Sequence, residues 1–151
     1  YISAGLACDA PEDVRLDLTR PINVGLCTVS SFAIPLAIYL GFREIYLIGC
    51  DANWHVAGDH TPLHFYATNP HFQHWDTNAA SRQTLGLSVE EELASQCACF
   101  KSHRLLRDYA RHRGIAIVNA TRGGYLDVYP RVAYESLYNH DPDPSPVARS
   151  A

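Results

Sequence analysis

Three groups of polar residues in this sequence of 151 amino acids have types and spacings suited to holding a ligand. Thr28, Ser30 and Ser31 stand before an apolar stretch, where hydroxyls and free N–H groups at a helix start suit a phosphate or carboxylate. Asp51 and Asn53 follow the apolar run Tyr46-Leu47-Ile48 through Gly49-Cys50, and their side chains suit sugar or ribose hydroxyls. Asn119, Thr121, Gly123 and Gly124 follow a second apolar run, and a Gly-Gly turn lets the backbone approach a ligand closely. Singly, each group has a plain structural explanation in caps, local hydrogen bonds or chain reversal. Taken together at strand ends they define one candidate site, because open α/β sheets hold ligands outside the carboxyl ends of their strands.

A second source of chemistry lies between them. Residues 52–87 show no usable period and carry His55, His60, His64, His71 and His74, interleaved with Trp54, Phe65, Tyr66, Phe72 and Trp75. A structureless stretch this long in a compact domain reads as a lid or as disorder, and its aromatic content favours a lid. A lid histidine titrates near neutral pH and can take a proton from a substrate hydroxyl. His64 is the catalytic candidate, and Tyr66 joins the ligand-binding set. The histidine gaps are irregular and no Cys or carboxylate completes a metal-ligand pattern, so no metal and no required cofactor is assigned. No P-loop, nucleophile-elbow or zincin motif occurs.

The elements that must position these residues follow from pattern. Residues 14–18 alternate in polarity and fit a short strand with one polar face. A buried helix is expected over residues 32–40, with its N-cap at Ser30 or Ser31 because Pro35 is tolerated only near a helix start, and with Gly41 as its stop. A strand buried on both faces is expected over 44–49. Ser88-Val89-Glu90-Glu91 is a capping box. It opens a long helix ending near Gly114, with Leu93, Cys97, Phe100, Leu105 and Tyr109 on its core face and Arg104, Arg107, Arg111 and Arg113 solvated or matched to its dipole. A strand is expected over 115–118 and a short helix within 129–138. Residues 139–151 read as a disordered tail. This order predicts an α/β fold, the C-terminal part of a doubly wound, Rossmann-like parallel sheet with a long His-rich lid. The whole of 1–138 reads as one domain, the rest of the sheet being expected before Tyr1.

Bulk properties narrow the function. A hydrophobic content of 47% with 19% charged residues belongs to a globular chain. A net charge of −4 gives no basic footprint for nucleic acid. No apolar run reaches the roughly 18 residues of a membrane span. Cys8, Cys27, Cys50, Cys97 and Cys99 are odd in number and lack metal or thioredoxin spacing, so reduced thiols in a cytoplasmic protein are expected.

The segment from Thr28 to Asp51, containing Leu40-Gly41-Phe42-Arg43-Glu44-Ile45-Tyr46-Leu47-Ile48-Gly49-Cys50-Asp51, resembles the core of the bacterial sialyltransferases of glycosyltransferase family 42. It equally resembles the uncharacterised domain of motility-accessory (Maf-type) glycosyltransferases, a group also tied to 6-hydroxymethylpterin diphosphokinase-like proteins. His64-Phe65-Tyr66 and the run from Ile117 through Asn119-Ala120-Thr121-Arg122-Gly123-Gly124 to Val132 are more similar to the second group. The resemblance implies a GT-A-type domain that binds a nucleotide sugar, with cytidine monophosphate (CMP) as the nucleotide, and needs no metal. It matches Thr28 to a donor-site Thr. The chain departs from the pattern at Leu26, where an Arg is expected, at Val29 for a Ser, at Asn53 for a phosphate-binding Tyr and at Cys97 for the catalytic His.

The expected function is therefore a glycosyltransferase-like enzyme of surface-glycan synthesis, with a nucleotide sugar and a glycan or protein acceptor as partners and a homo-oligomer left open. Two alternatives stand beside it. One is an ATP-dependent pterin diphosphokinase, which needs Mg²⁺ and charge neutralisation at the phosphates, although Lys101 is the only Lys in the chain. The other is a non-catalytic nucleotide-binding fragment.

Overall fold

Helix ends carry the clearest link from sequence to structure. The computed structural model describes residues 8–20, 22–25, 27–60 and 77–138. The first helix, α1 (Val29–Tyr39), is capped by Thr28, whose hydroxyl accepts the Ser31 N–H while Ser31 Oγ accepts the Thr28 N–H at 2.9 Å. It ends in a Schellman motif: Gly41 takes φ of +91°, its N–H donates to the Ile38 carbonyl, and the Phe42 N–H reaches back to the Ala37 carbonyl. Strand β1 (Glu44–Leu47) follows at once. Helix α2 (Asn78–Leu85) and the long helix α3 (Val89–His112) come next, and strand β2 (Ala116–Asn119) follows α3 through Gly114.

The described residues form a mixed α/β fold around a small parallel sheet. β1 and β2 pair in parallel, with Glu44 opposite Ala116 and Leu47 opposite Asn119. Arg131 adds an isolated parallel bridge to Asn119. α1 packs on α3 and on β1, and α3 packs on β2. Each of these helices turns tightly into the strand after it, so the starts of α1 and α3 lie towards the carboxyl end of the sheet. The core between them contains Val14, Leu16, Ile34, Leu47, Leu106, Ile117, Leu126 and Tyr129. No described helix is long and apolar enough to cross a membrane.

Several sequence expectations need correction. The α1 cap is Thr28, held by reciprocal Thr28 and Ser31 bonds, so Pro35 lies in mid-helix, where it is buried. Ile34 and Pro35 are buried, but Val29, Phe32, Tyr39 and Leu40 are exposed, so one face of α1 is covered among the described residues. β1 is likewise covered on one face, with Leu47 buried and Tyr46 exposed. Residues 14–17 keep the predicted alternation, Val14 and Leu16 inward, but no strand pairs with them among the described residues. They follow a turn of 3₁₀ helix, Pro11–Asp13, and that turn packs on α3.

α2 was hidden in the aperiodic stretch although Thr77 caps it and Gly86 ends it at φ of +65°. Within 129–138 only Tyr134–Leu137 is helical, as 3₁₀. The buried face of α3 is Cys99, Ser102, His103, Leu105, Leu106 and Ala110, while Leu93 and Cys97 are exposed. Of the expected face, Leu105 is in the core and Phe100 and Tyr109 pack against it, so the expectation holds from Phe100 onward and fails at the first turns.

Candidate functional site

The start of α1, the loop after β1 and the loop after β2 meet through named contacts. Ser30 Oγ lies 2.9 Å from Thr28 Oγ1, and burial pushes the Cys50 thiol up, a push that Ser30 partly offsets. The Cys50 N–H donates to Thr121 Oγ1 at 2.9 Å, and the Ala120 N–H donates to the Leu47 carbonyl. Asp51 meets the Gly-Gly turn: its carbonyl accepts the Tyr125 N–H, and a Cβ on Gly124 would stand 2.5 Å from the Asp51 Cα. Gly124 also has φ of +78°, so both space and backbone require glycine there. The three sequence-selected clusters thus share one end of the sheet.

Their roles at that end differ. Asn119 is fully buried; its Nδ2 donates to the Leu126 carbonyl and its Oδ1 accepts the Thr121 N–H, so it frames the turn. Thr121 Oγ1 is engaged by Cys50 N–H in the same framework. The Arg131 guanidinium braces the turn by donating to the carbonyls of Thr121, Gly123 and Gly124. Asp51 and Asn53 are exposed. Asp51 and Thr121 line an open cleft of about 440 Å³ with Ile48, Gly49, Arg122 and Tyr134. Tyr125 lines a second cleft of about 380 Å³ with His55, Phe100, Gln96, Cys97 and Asp127. His55 packs edge-on against Phe100 and Tyr125 there, at ring-centroid distances of 6.0 and 4.9 Å. His64 and Tyr66 lie outside the described residues.

Beneath Ser30 is a buried group that sequence reasoning missed. His103 on α3 is 1% exposed; its Nε2 lies 3.4 Å from Ser30 Oγ and its Nδ1 lies 3.0 Å from the Tyr129 hydroxyl. Tyr129 in turn donates that hydroxyl proton to the His103 backbone carbonyl at 3.1 Å. Burial pushes the Tyr129 phenol upward, so it keeps its proton near neutral pH. With that single proton committed, the Tyr129 oxygen accepts from Nδ1–H, which fixes the tautomer. Nε2 is then a bare acceptor aimed at the Ser30 hydroxyl. Burial pushes the imidazole down to about 4, so at neutral pH it is uncharged.

One turn earlier on α3 lies a buried thiol. Cys99 precedes His103 by four residues and so shares its face, while Cys27 immediately precedes the α1 cap. The Cys99 thiol donates to Cys27 and, with a contribution from Ser102, holds Cys27 down at about 6. Cys99 itself is raised, first by that same contact and then by burial. Nothing local marks His103, Cys27 or Cys99 in the sequence, because their partners lie 26 to 73 positions away or on another element. Among the described residues, no group of three or more His, Cys, Asp or Glu is placed to hold a metal ion.

No family model matches the chain, and no curated protein or solved structure matches it either.

Proposed function

We propose that this chain is a Rossmann-like, GT-A-type glycosyltransferase domain that takes a sugar from a nucleotide donor, a CMP-sugar, and passes it to a hydroxyl of a surface-glycan acceptor. The observation that carries the reading is the buried His103, whose Nε2 faces the Ser30 hydroxyl at the start of α1. The helix start offers hydroxyls and amide N–H groups to a phosphate, and Asp51 offers a carboxylate to sugar hydroxyls. In the transfer, the acceptor oxygen attacks the anomeric carbon and the bond from that carbon to the phosphate oxygen breaks. The acceptor proton passes to the exposed Asp51 carboxylate, while His103 Nε2, with Tyr129 holding the ring in place, orients the Ser30 hydroxyl. The electron pair leaves with the nucleotide phosphate, held by Thr28 and the first turn of α1. The resemblance to sialyltransferase-like and Maf-type proteins supports the cytidine choice.

Thermal unfolding of the full chain with cytidine, uridine and adenosine nucleotides, each with and without Mg²⁺, tests this. A ligand at a hundred times its Kd adds about 2.7 kcal/mol, roughly 5–10 °C for a chain of this size. CMP is expected to give that rise without Mg²⁺. A response to ATP alone, dependent on Mg²⁺, would favour diphosphokinase chemistry, and silence towards every nucleotide would end the glycosyltransferase reading.

A further inference from the structure

We infer that the cleft between the Trp54–Val56 turn, α3 and the Gly-Gly turn is a carbohydrate subsite that takes a neutral pyranose ring. Its walls supply the apolar and the polar contacts such a ring needs. Apolar contact comes from aromatic side chains: His55 stands edge-on to Tyr125 and to Phe100, at 4.9 and 6.0 Å between ring centroids, and Tyr125 is 50% exposed. A pyranose carries a patch of C–H groups on one face, and these hydrogens lie against the negative face of an exposed aromatic ring. Polar contact comes from Gln96 and Asp127, which line the same cleft of about 380 Å³. The Asp127 side chain is exposed and in no ion pair among the described residues. Gln96 Oε1 is buried without a hydrogen-bond partner among them. A hydroxyl donor in the cleft relieves that cost once the amide turns about its broad last torsion.

Charge selects among ligands. Among the described residues the cleft has no Lys or Arg, so a phosphate finds no counter-charge there. The Gln96 amide and Tyr125 hydroxyl can donate and the Asp127 carboxylate accepts, a mixture that matches sugar hydroxyls, each of which does both. The walls are also held in place. Trp54 packs edge-on to Phe100 at 6.3 Å and its carbonyl accepts from Asn78 Nδ2, which fixes the turn carrying His55. The Tyr125 N–H donates to the Asp51 carbonyl, and the Asp127 N–H donates to the Tyr125 carbonyl, which fixes the opposite wall. Preformed walls reduce the ordering cost of binding. The Tyr125 contact joins this wall to Asp51, the carboxylate proposed to take the acceptor proton. The subsite thus deepens the glycosyltransferase reading, and its role as an acceptor site rests on that reading; ring binding does not.

Saturation-transfer NMR on the full chain, without nucleotide, tests it with methyl glycosides of glucose, galactose and N-acetylglucosamine, and with tetramethylammonium as a cationic control. At least one glycoside should receive saturation at its ring C–H protons. Tyr125→Ala should weaken that glycoside about tenfold by removing the exposed ring, and Asp127→Asn about fivefold by replacing a charged acceptor with a neutral one. Both positions are exposed, so Tm should stay within about 2 °C of wild type. Glycoside binding by a chain that shows no thermal response to CMP would uphold the subsite while removing its acceptor role. Silence towards every glycoside, saturation of tetramethylammonium alone, or glycoside binding unchanged in Tyr125→Ala would overturn the inference.

Discussion

Acid should weaken this protein through one identifiable group. His103 has an ordinary value of 6.5 lowered to about 4 by burial, so between those values the unfolded chain binds a proton that the folded chain refuses. Stability therefore rises with pH across that window and is lost as pH falls from 6.5 towards 4. A gap of this size is worth about 3 kcal/mol, using roughly 1.4 kcal/mol for each pH unit. Carboxylates titrate in part of the same range, so the comparison must be with a variant lacking only this group. His103→Gln keeps a side chain able to donate and accept but removes the titration. Urea unfolding of both proteins at pH values from roughly 7 down to 4 gives two stability profiles. The wild-type profile should fall further than the variant's by about 3 kcal/mol, with nearly all the divergence below pH 6.5. Parallel profiles would refute the claim that this imidazole is buried and uncharged.

Three further outcomes follow from the same contacts. Tyr129→Phe should cost about 1–3 kcal/mol by leaving a buried ring nitrogen of His103 unpaired; thermal unfolding would show it, while Tyr134→Phe, whose hydroxyl partner is exposed, should stay within about 0.5 kcal/mol. Gly124→Ala should cost about 2 kcal/mol or more from its left-handed backbone and the collision with Asp51, measurable as a lowered urea midpoint. Ser88→Ala should remove about 1 kcal/mol by opening the capping box of α3, seen as a drop of roughly 2–4 °C in Tm.

How far the sequence reveals this molecule depends on whether a signal is local. The Ser88 and Glu91 box specifies the start of α3 because all of its partners lie within four residues, and Gly41 and Gly114 mark helix stops for the same reason. The start of α1 was harder to place, since Thr28, Ser30 and Ser31 are all good caps and Pro35 argued for the later ones. α2 escaped because it is short and buries only Asn78 among its residues, so no apolar stripe announces it. Val14 and Leu16 show the limit of alternation: it reports which side faces inward, not whether a neighbouring strand exists. At the site, Asp51, Thr121 and Gly124 were legible as strand-end residues, and the structure brings them together. His103 was not, because a histidine within a helix acquires meaning only from Ser30 and Tyr129 across the fold.

The central claim is that a nucleotide phosphate sits at the start of α1 above Ser30 and His103. Its most direct test is the titration of the His103 imidazole by NMR, with and without CMP. A phosphate anion beside the ring favours the imidazolium, so the midpoint should move up from about 4 by roughly one pH unit or more when CMP is bound. A midpoint that stays in place at saturating CMP, or a chain that binds no CMP, would contradict the account.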